Sequence, residues 1–102
     1  MKYILHFGSE SLDVELEGDF SFQDTRVFHR MLSAIACDDS RSDVRVNVEN
    51  LNSIDSTGLC LLMMAHDLAK KNHRSLVFKN PQGQLFDRLT EAANFNAIHI
   101  AA

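Results

Sequence analysis

Two stretches of strict two-residue alternation, separated by a segment of helical periodicity, constrain this chain more than any other feature. Leu12, Val14 and Leu16 alternate with Asp13, Glu15 and Glu17, and Val44, Val46 and Val48 alternate with Arg45, Asn47 and Glu49. That period belongs to strands with one buried and one wet face. Between them, Phe28, Met31, Leu32 and Ile35 recur at the spacing of one helix face within Phe22 to Cys37. Tyr3 to Phe7 is a hairpin partner for the first alternating strand, because Gly8-Ser9-Glu10 is a short connection that tolerates turn geometry.

The remaining segments continue the pattern. The second strand is expected to end near Asn50; Thr57 to Asn72 then reads as a helix, and Ser75 to Lys79 as a short strand. After the break at Asn80-Pro81-Gln82-Gly83, Gln84 to Ala93 places Leu85, Phe86, Leu89 and Ala92 on one helix face, and 97–100 reads as a last strand. The order ββαβαβαβ predicts an α/β domain with a mixed sheet of four to five strands and helices packed on it, since strand-helix-strand units favour parallel crossovers. With no repeat, low-complexity stretch or linker, residues 1–102 are expected to form one unit.

Composition narrows the function. A formal charge of −4 and a pI near 5.6 argue against nucleic acid, which is bound by clustered Lys and Arg. The short run Lys70, Lys71, His73, Arg74 fits a solvated helix C-terminus, where cations suit the dipole. The absence of a long apolar run predicts neither a signal peptide nor a membrane span, hence a cytoplasmic protein. Cys37 and Cys60 lack the spacing of a disulfide framework or a zinc motif, and His6, His29, His66, His73 and His99 are scattered rather than paired as metal ligands. No metal or cofactor is expected.

The informative segment is Asn50-Leu51-Asn52-Ser53-Ile54-Asp55-Ser56-Thr57-Gly58-Leu59, which leads from a buried strand into a helix. Asp55 and Ser56 are both residue types that cap helices, and an N-cap beside a small Gly58 accounts for them without any further role. A hydroxyl at this place is also well suited to carry a phosphate, because exposed amides and the helix dipole both accept negative charge. At 100° per residue, Leu61, Leu62, Ala65, Leu68 and Ala69 share one side of the helix and Asp67, Lys70 and Lys71 the other. Cys60 and Met63, with Leu59 and Met64 near the border, fall on the side expected to meet water, in line with Ser56. They are either a docking patch or core beneath a neighbouring element.

The stretch Ile54-Asp55-Ser56-Thr57-Gly58-Leu59, with the Val44-Val46-Val48 strand before it and an apolar helix after it, resembles the signature of the STAS domain family, specifically the bacterial anti-sigma factor antagonists. The resemblance spans essentially the whole chain, including the early strand ending Glu17-Gly18-Asp19-Phe20 and the later Leu85-Phe86 and Asn94-Phe95. It implies a non-enzymatic partner-switching module. The serine after the aspartate, Ser56 here, would be phosphorylated by an anti-sigma factor serine kinase that binds only the unmodified form, and reset by a metal-dependent serine phosphatase. By the same analogy Asp55 shapes the loop, Gly58 permits close approach of a partner backbone, and Thr57 is the second candidate acceptor. Many members carry an Asp shortly after the glycine of the early strand; Ser21 stands there in this chain, leaving Asp19 and Asp24 as nearby acidic candidates for the partner contact.

A different class of function keeps the fold and drops the switch: a permanent subunit docking on a transporter ATPase or another assembly. Catalysis by the chain itself is disfavoured, because Ser56 has neither an evident base nor a Gly-x-Ser-x-Gly elbow and no phosphate-cradling glycine loop is present.

Overall fold

The computed structural model describes residues 1–38, 42–81, 83, 85, 87–88, 91 and 99–101. Strands β1 (Lys2–Phe7) and β2 (Ser11–Phe20) form an antiparallel hairpin; a 3₁₀ turn, Phe22–Asp24, leads into α1 (Thr25–Cys37). Then come β3 (Asp43–Ile54), α2 (Ser56–Lys71), β4 (Ser75–Lys79) and β5 (His99–Ala101). The sheet runs in serial order β1-β2-β3-β4-β5, with every pair after the hairpin parallel. This is the expected mixed sheet. The predicted helix over 84–93 lies largely outside the described residues; Leu85, Asp87, Arg88 and Glu91 are helical.

The alternation that marks the strands also decides which face is covered. Leu12, Val14, Leu16, Val44, Val46, Val48, Leu76 and Phe78 are buried on one face, against Phe28, Met31 and Ile35 of α1 and Leu61, Leu62, Ala65 and Ala69 of α2. Serial parallel strands joined by right-handed crossovers place successive helices on the same side. The opposite face, with Ile4, His6, Asp13, Glu15, Arg45 and Asn47, stays half-buried or exposed. The Phe20 and Phe28 rings, 5.1 Å apart between centroids, tie the end of β2 to the first turns of α1.

Three expectations need correction. The helix predicted from Phe22 starts as a 3₁₀ turn, because Ser21 and Asp24 form a capping box there and α1 begins only at Thr25. The second alternating strand does not stop near Asn50 but continues to Ile54. Five steps along β2 from Glu15 to Phe20 are matched by seven along β3 from Asn47 to Ile54, so β3 accommodates two extra residues at register shifts, and the period of two is lost there. Finally Leu68, expected on the buried side of α2, is 42% exposed, where it borders a cleft between α1 and α2.

Candidate functional site

The site is built where β2 and β3 end together. Phe20 pairs with Ile54, and the amide of Asp55 donates to the Phe20 carbonyl at 3.1 Å, so the strand ladder runs to the very start of α2. Asp55 is the N-cap: its Oδ1 accepts from the Gly58 amide at 2.8 Å, satisfying one of the donors a helix start leaves unpaired. Its Oδ2 accepts from the Phe22 amide at 3.0 Å. One carboxylate thus joins the first turn of α2 to the 3₁₀ turn that precedes α1. From the other side, Arg88 Nη1 donates to the Ile54 carbonyl at 2.9 Å.

Ser56 follows as the first helical residue and is exposed, and its hydroxyl makes no hydrogen bond with the described residues. Of two residues able to cap, Asp55 does so and Ser56 is left facing solvent. Thr57 is exposed beside it. Gly58 is buried, and a Cβ there would lie 2.8 Å from Ile54 Cγ1, 3.0 Å from the Phe20 carbonyl oxygen and 3.2 Å from the Phe20 ring. The close approach that this glycine permits within the chain is to β2 and β3.

The residues of α2 read as either docking patch or core divide between the two. Cys60, one turn beyond Ser56, is exposed, but Leu59, Met63 and Met64 are half-buried and pack in part against the core. The surface gains a residue that the helix pattern had not indicated: Phe22, 64% exposed, stands beside the start of α2, its backbone amide donating a hydrogen bond to the Asp55 carboxylate. The signal available in the sequence was the capping box Ser21-x-x-Asp24, which fixes Phe22 at the first position of a short turn, where its side chain has no helix face to join.

The two acidic candidates behave differently. Asp19 is exposed and accepts from the Ser53 hydroxyl at 2.9 Å. Asp24 is turned inward: Oδ2 accepts from the Ser21 amide at 2.9 Å and Oδ1 pairs with the terminal ammonium of Met1 at 3.0 Å. These contacts, the Ser21 amide foremost, hold its carboxyl below the usual 3.8 although partial burial opposes them. Its carboxylate is thus committed within the chain, and of the pair Asp19 is the exposed one.

Serial parallel strands after an N-terminal hairpin, helices on one face, and an aspartate-capped helix start with an exposed serine together define a STAS-type domain. The chain belongs to the STAS domain family: residues 5–100 match the family model described as "Mlab, STAS domain". No curated protein sequence matches it. Its fold is that of the anti-sigma factor antagonists. It is similar to the antagonist SpoIIAA in its unphosphorylated form, with 15% identity, a TM-score of 0.74, and coverage of 97% of this chain and 86% of that one. The phosphorylated form of the Bacillus cell fate determinant SpoIIAA gives 15%, 0.75, 99% and 91%. A serine-to-glutamate variant of Moorella thermoacetica RsbS gives 14%, 0.79, 100% and 86%. Among the described residues no helix is long and apolar enough to cross a membrane.

Proposed function

We propose that this domain is a non-catalytic, cytoplasmic antagonist of an anti-sigma factor, and that phosphate on Ser56 switches its binding surface. The observation that carries this reading is the division of labour at the start of α2: Asp55 caps the helix, and the adjacent Ser56 hydroxyl is exposed and makes no hydrogen bond with the described residues. A phosphate there adds a charge of about −1.5 to −2 and three acceptor oxygens beside helix amides that tolerate them. The fold is kept and the surface changes. Ser56, Thr57 and Cys60, with Phe22 and Asp19 at its margins, form the face offered to an anti-sigma factor serine kinase, and a metal-dependent serine phosphatase restores it.

The test is a titration of wild type, Ser56→Ala, Ser56→Asp and phosphorylated protein against the cognate kinase. Ser56→Ala should stay folded, resist phosphorylation and bind as unmodified wild type does, while Ser56→Asp and the phosphorylated form should bind at least about tenfold more weakly, a difference of about 1.4 kcal/mol. Equal affinity of all four forms overturns the switch; phosphate on Thr57 alone moves it by one residue. A second reading, a permanent subunit docking on a transporter ATPase or other assembly, uses the same surface without modification. A stable complex indifferent to Ser56→Asp would establish it.

A further inference from the structure

Strand β1 forms one edge of the sheet, and the hairpin register decides which of its backbone groups point off that edge. The Gly8 amide donates to the Ser11 carbonyl at 2.9 Å, one step beyond the Phe7–Leu12 pair. Hydrogen-bonded and non-hydrogen-bonded pairs alternate along an antiparallel ladder, so Lys2, Ile4 and His6 direct their amides and carbonyls to β2, while Tyr3 and Leu5 turn theirs outward. Among the described residues nothing pairs with those outward groups. Sheets protect such an edge with a proline, a bulge or charged side chains along it. β1 has neither proline nor bulge, its register runs unbroken from Lys2 to Phe7, and its one lysine stands at the first position. Its apolar side chains are exposed on both faces, Ile4 by 41% and Phe7 by 53%.

We propose that β1 pairs antiparallel with β1 of a second copy of this chain, about a two-fold axis at Ile4, so that the sheet continues from one copy into the other. In this register Tyr3 of each copy meets Leu5 of the other, and each such pair exchanges two backbone hydrogen bonds through the outward groups. Ile4 meets Ile4 on the open face. Tyr3 and Leu5, half-buried beside Leu16 and Val14 of β2, carry the apolar face of the sheet across the junction. Lys2 comes opposite His6 of the other copy, and each has an acidic residue of β2 beside it in its own sheet, Glu17 and Asp13 respectively. Self-complementarity names the occupant, because an isologous contact needs a patch that matches itself under a two-fold rotation. The contact is one strand wide, so the dimer belongs to the weak, small-interface class and depends on concentration. No residue of the face around Ser56 lies on β1, and the inference stands apart from the proposed switch.

The experiment is sedimentation of the chain over a concentration series reaching the millimolar range, where a reversible monomer–dimer equilibrium is expected. Ile4→Lys sets like charges directly opposite one another and should weaken the dimer at least about tenfold, with the far-ultraviolet circular dichroism and melting temperature unchanged. An equimolar mixture of Ile4→Lys and Ile4→Glu should recover the association that neither shows alone. Leu5→Pro, which removes an outward amide but no bond to β2, gives the same loss should a charged variant fail to fold. Ile4→Cys in a Cys37→Ser, Cys60→Ser background should form a disulfide-linked dimer faster than wild type does through its two exposed cysteines. The reason is that Cα atoms of a non-hydrogen-bonded pair stand about 4.5 Å apart, within disulfide reach. A chain that stays monomeric throughout the series, association undiminished by Ile4→Lys, or a mixture no better than its components overturns the proposal and leaves the edge to a strand of another protein.

Discussion

At its first turn α2 is held by backbone and carboxylate contacts to three other segments, whereas its second half faces α1 across a cleft. The Asp55 amide bonds to Phe20, its carboxylate bonds to Phe22 and Gly58, and the carbonyl before it receives Arg88. Gly58 is in such close contact with Ile54 and Phe20 that one added carbon does not fit. Two turns later, Ala65 and Ala69 leave room beside Leu32 and Ile35. The tight end carries the exposed Ser56 hydroxyl, and the loose end borders an apolar groove open beside Leu68. A rigid helix start lets a modification be read as a change of surface, because local structure cannot relax to absorb it; the loose end tolerates added volume that the tight end rejects.

The sharpest way to break this contrast is to add one methyl group at the tight end. Gly58→Ala should cost about 2 kcal/mol, within the range for overpacking a filled site, because the backbone oxygen of Phe20 cannot move aside as a flexible side chain could. For a domain near 100 residues this lowers the melting temperature by about 8–16 °C. The better helix propensity of alanine offsets only part of the loss. A Gly58→Ala protein that melts within a degree or two of wild type would show that the start of α2 is not tightly constrained.

The next effect separates the two oxygens of Asp55. Asp55→Ala loses both the cap and the bond to Phe22 and should cost about 1–2 kcal/mol. Asp55→Asn keeps a good capping oxygen for Gly58 but turns an amide donor toward the Phe22 amide, so it should cost less than Ala yet free the 3₁₀ turn. Chemical denaturation gives the stabilities, and hydrogen exchange at the Phe22 amide reads the turn. If the Asn variant protects that amide as wild type does, the carboxylate is a helix cap alone and not a joint between two elements.

These two residues also mark how far the sequence could be read. Strands with a wet face announce themselves by alternation, which is why β2, the first half of β3 and β4 were legible. The same signal failed beyond Val48, because the register shifts of β3 break the period while hydrogen bonding to β2 continues. The stretch Ile54 to Leu59 was legible as a strand-to-helix junction, but the choice between Asp55 and Ser56 as cap depends on Phe22 arriving from 33 positions away. No local pattern encodes that. On α2 the apolar residues occupy most of the circumference, so periodicity could not tell that Met63 and Met64 would pack in part against the core while Leu68 would border a cleft.

The smallest expected effect is a pH dependence at the 3₁₀ turn, on which the tight end rests. Asp24 accepts from the Ser21 amide and pairs with the Met1 ammonium, and its carboxyl is held below 3.8, most strongly by the Ser21 amide and against the opposing effect of burial. A carboxyl whose folded value is depressed stabilises the native state fully above its unfolded value, near 3.9. That contribution is then lost as the pH falls from about 4 through the lower folded value, because the unfolded chain takes up the proton first. Asp24→Asn should therefore be less stable than wild type at neutral pH, and the gap should narrow below about pH 4, since the variant has no proton to gain at this position. The Ser21 amide is kept in the comparison because asparagine retains an oxygen able to accept from it, so the difference reads the charge and not the cap. Urea titrations of both proteins between neutral and acidic pH measure the gap directly. A gap that stays constant into acid would mean that the charge of Asp24 contributes nothing and that the turn is held by hydrogen bonding alone.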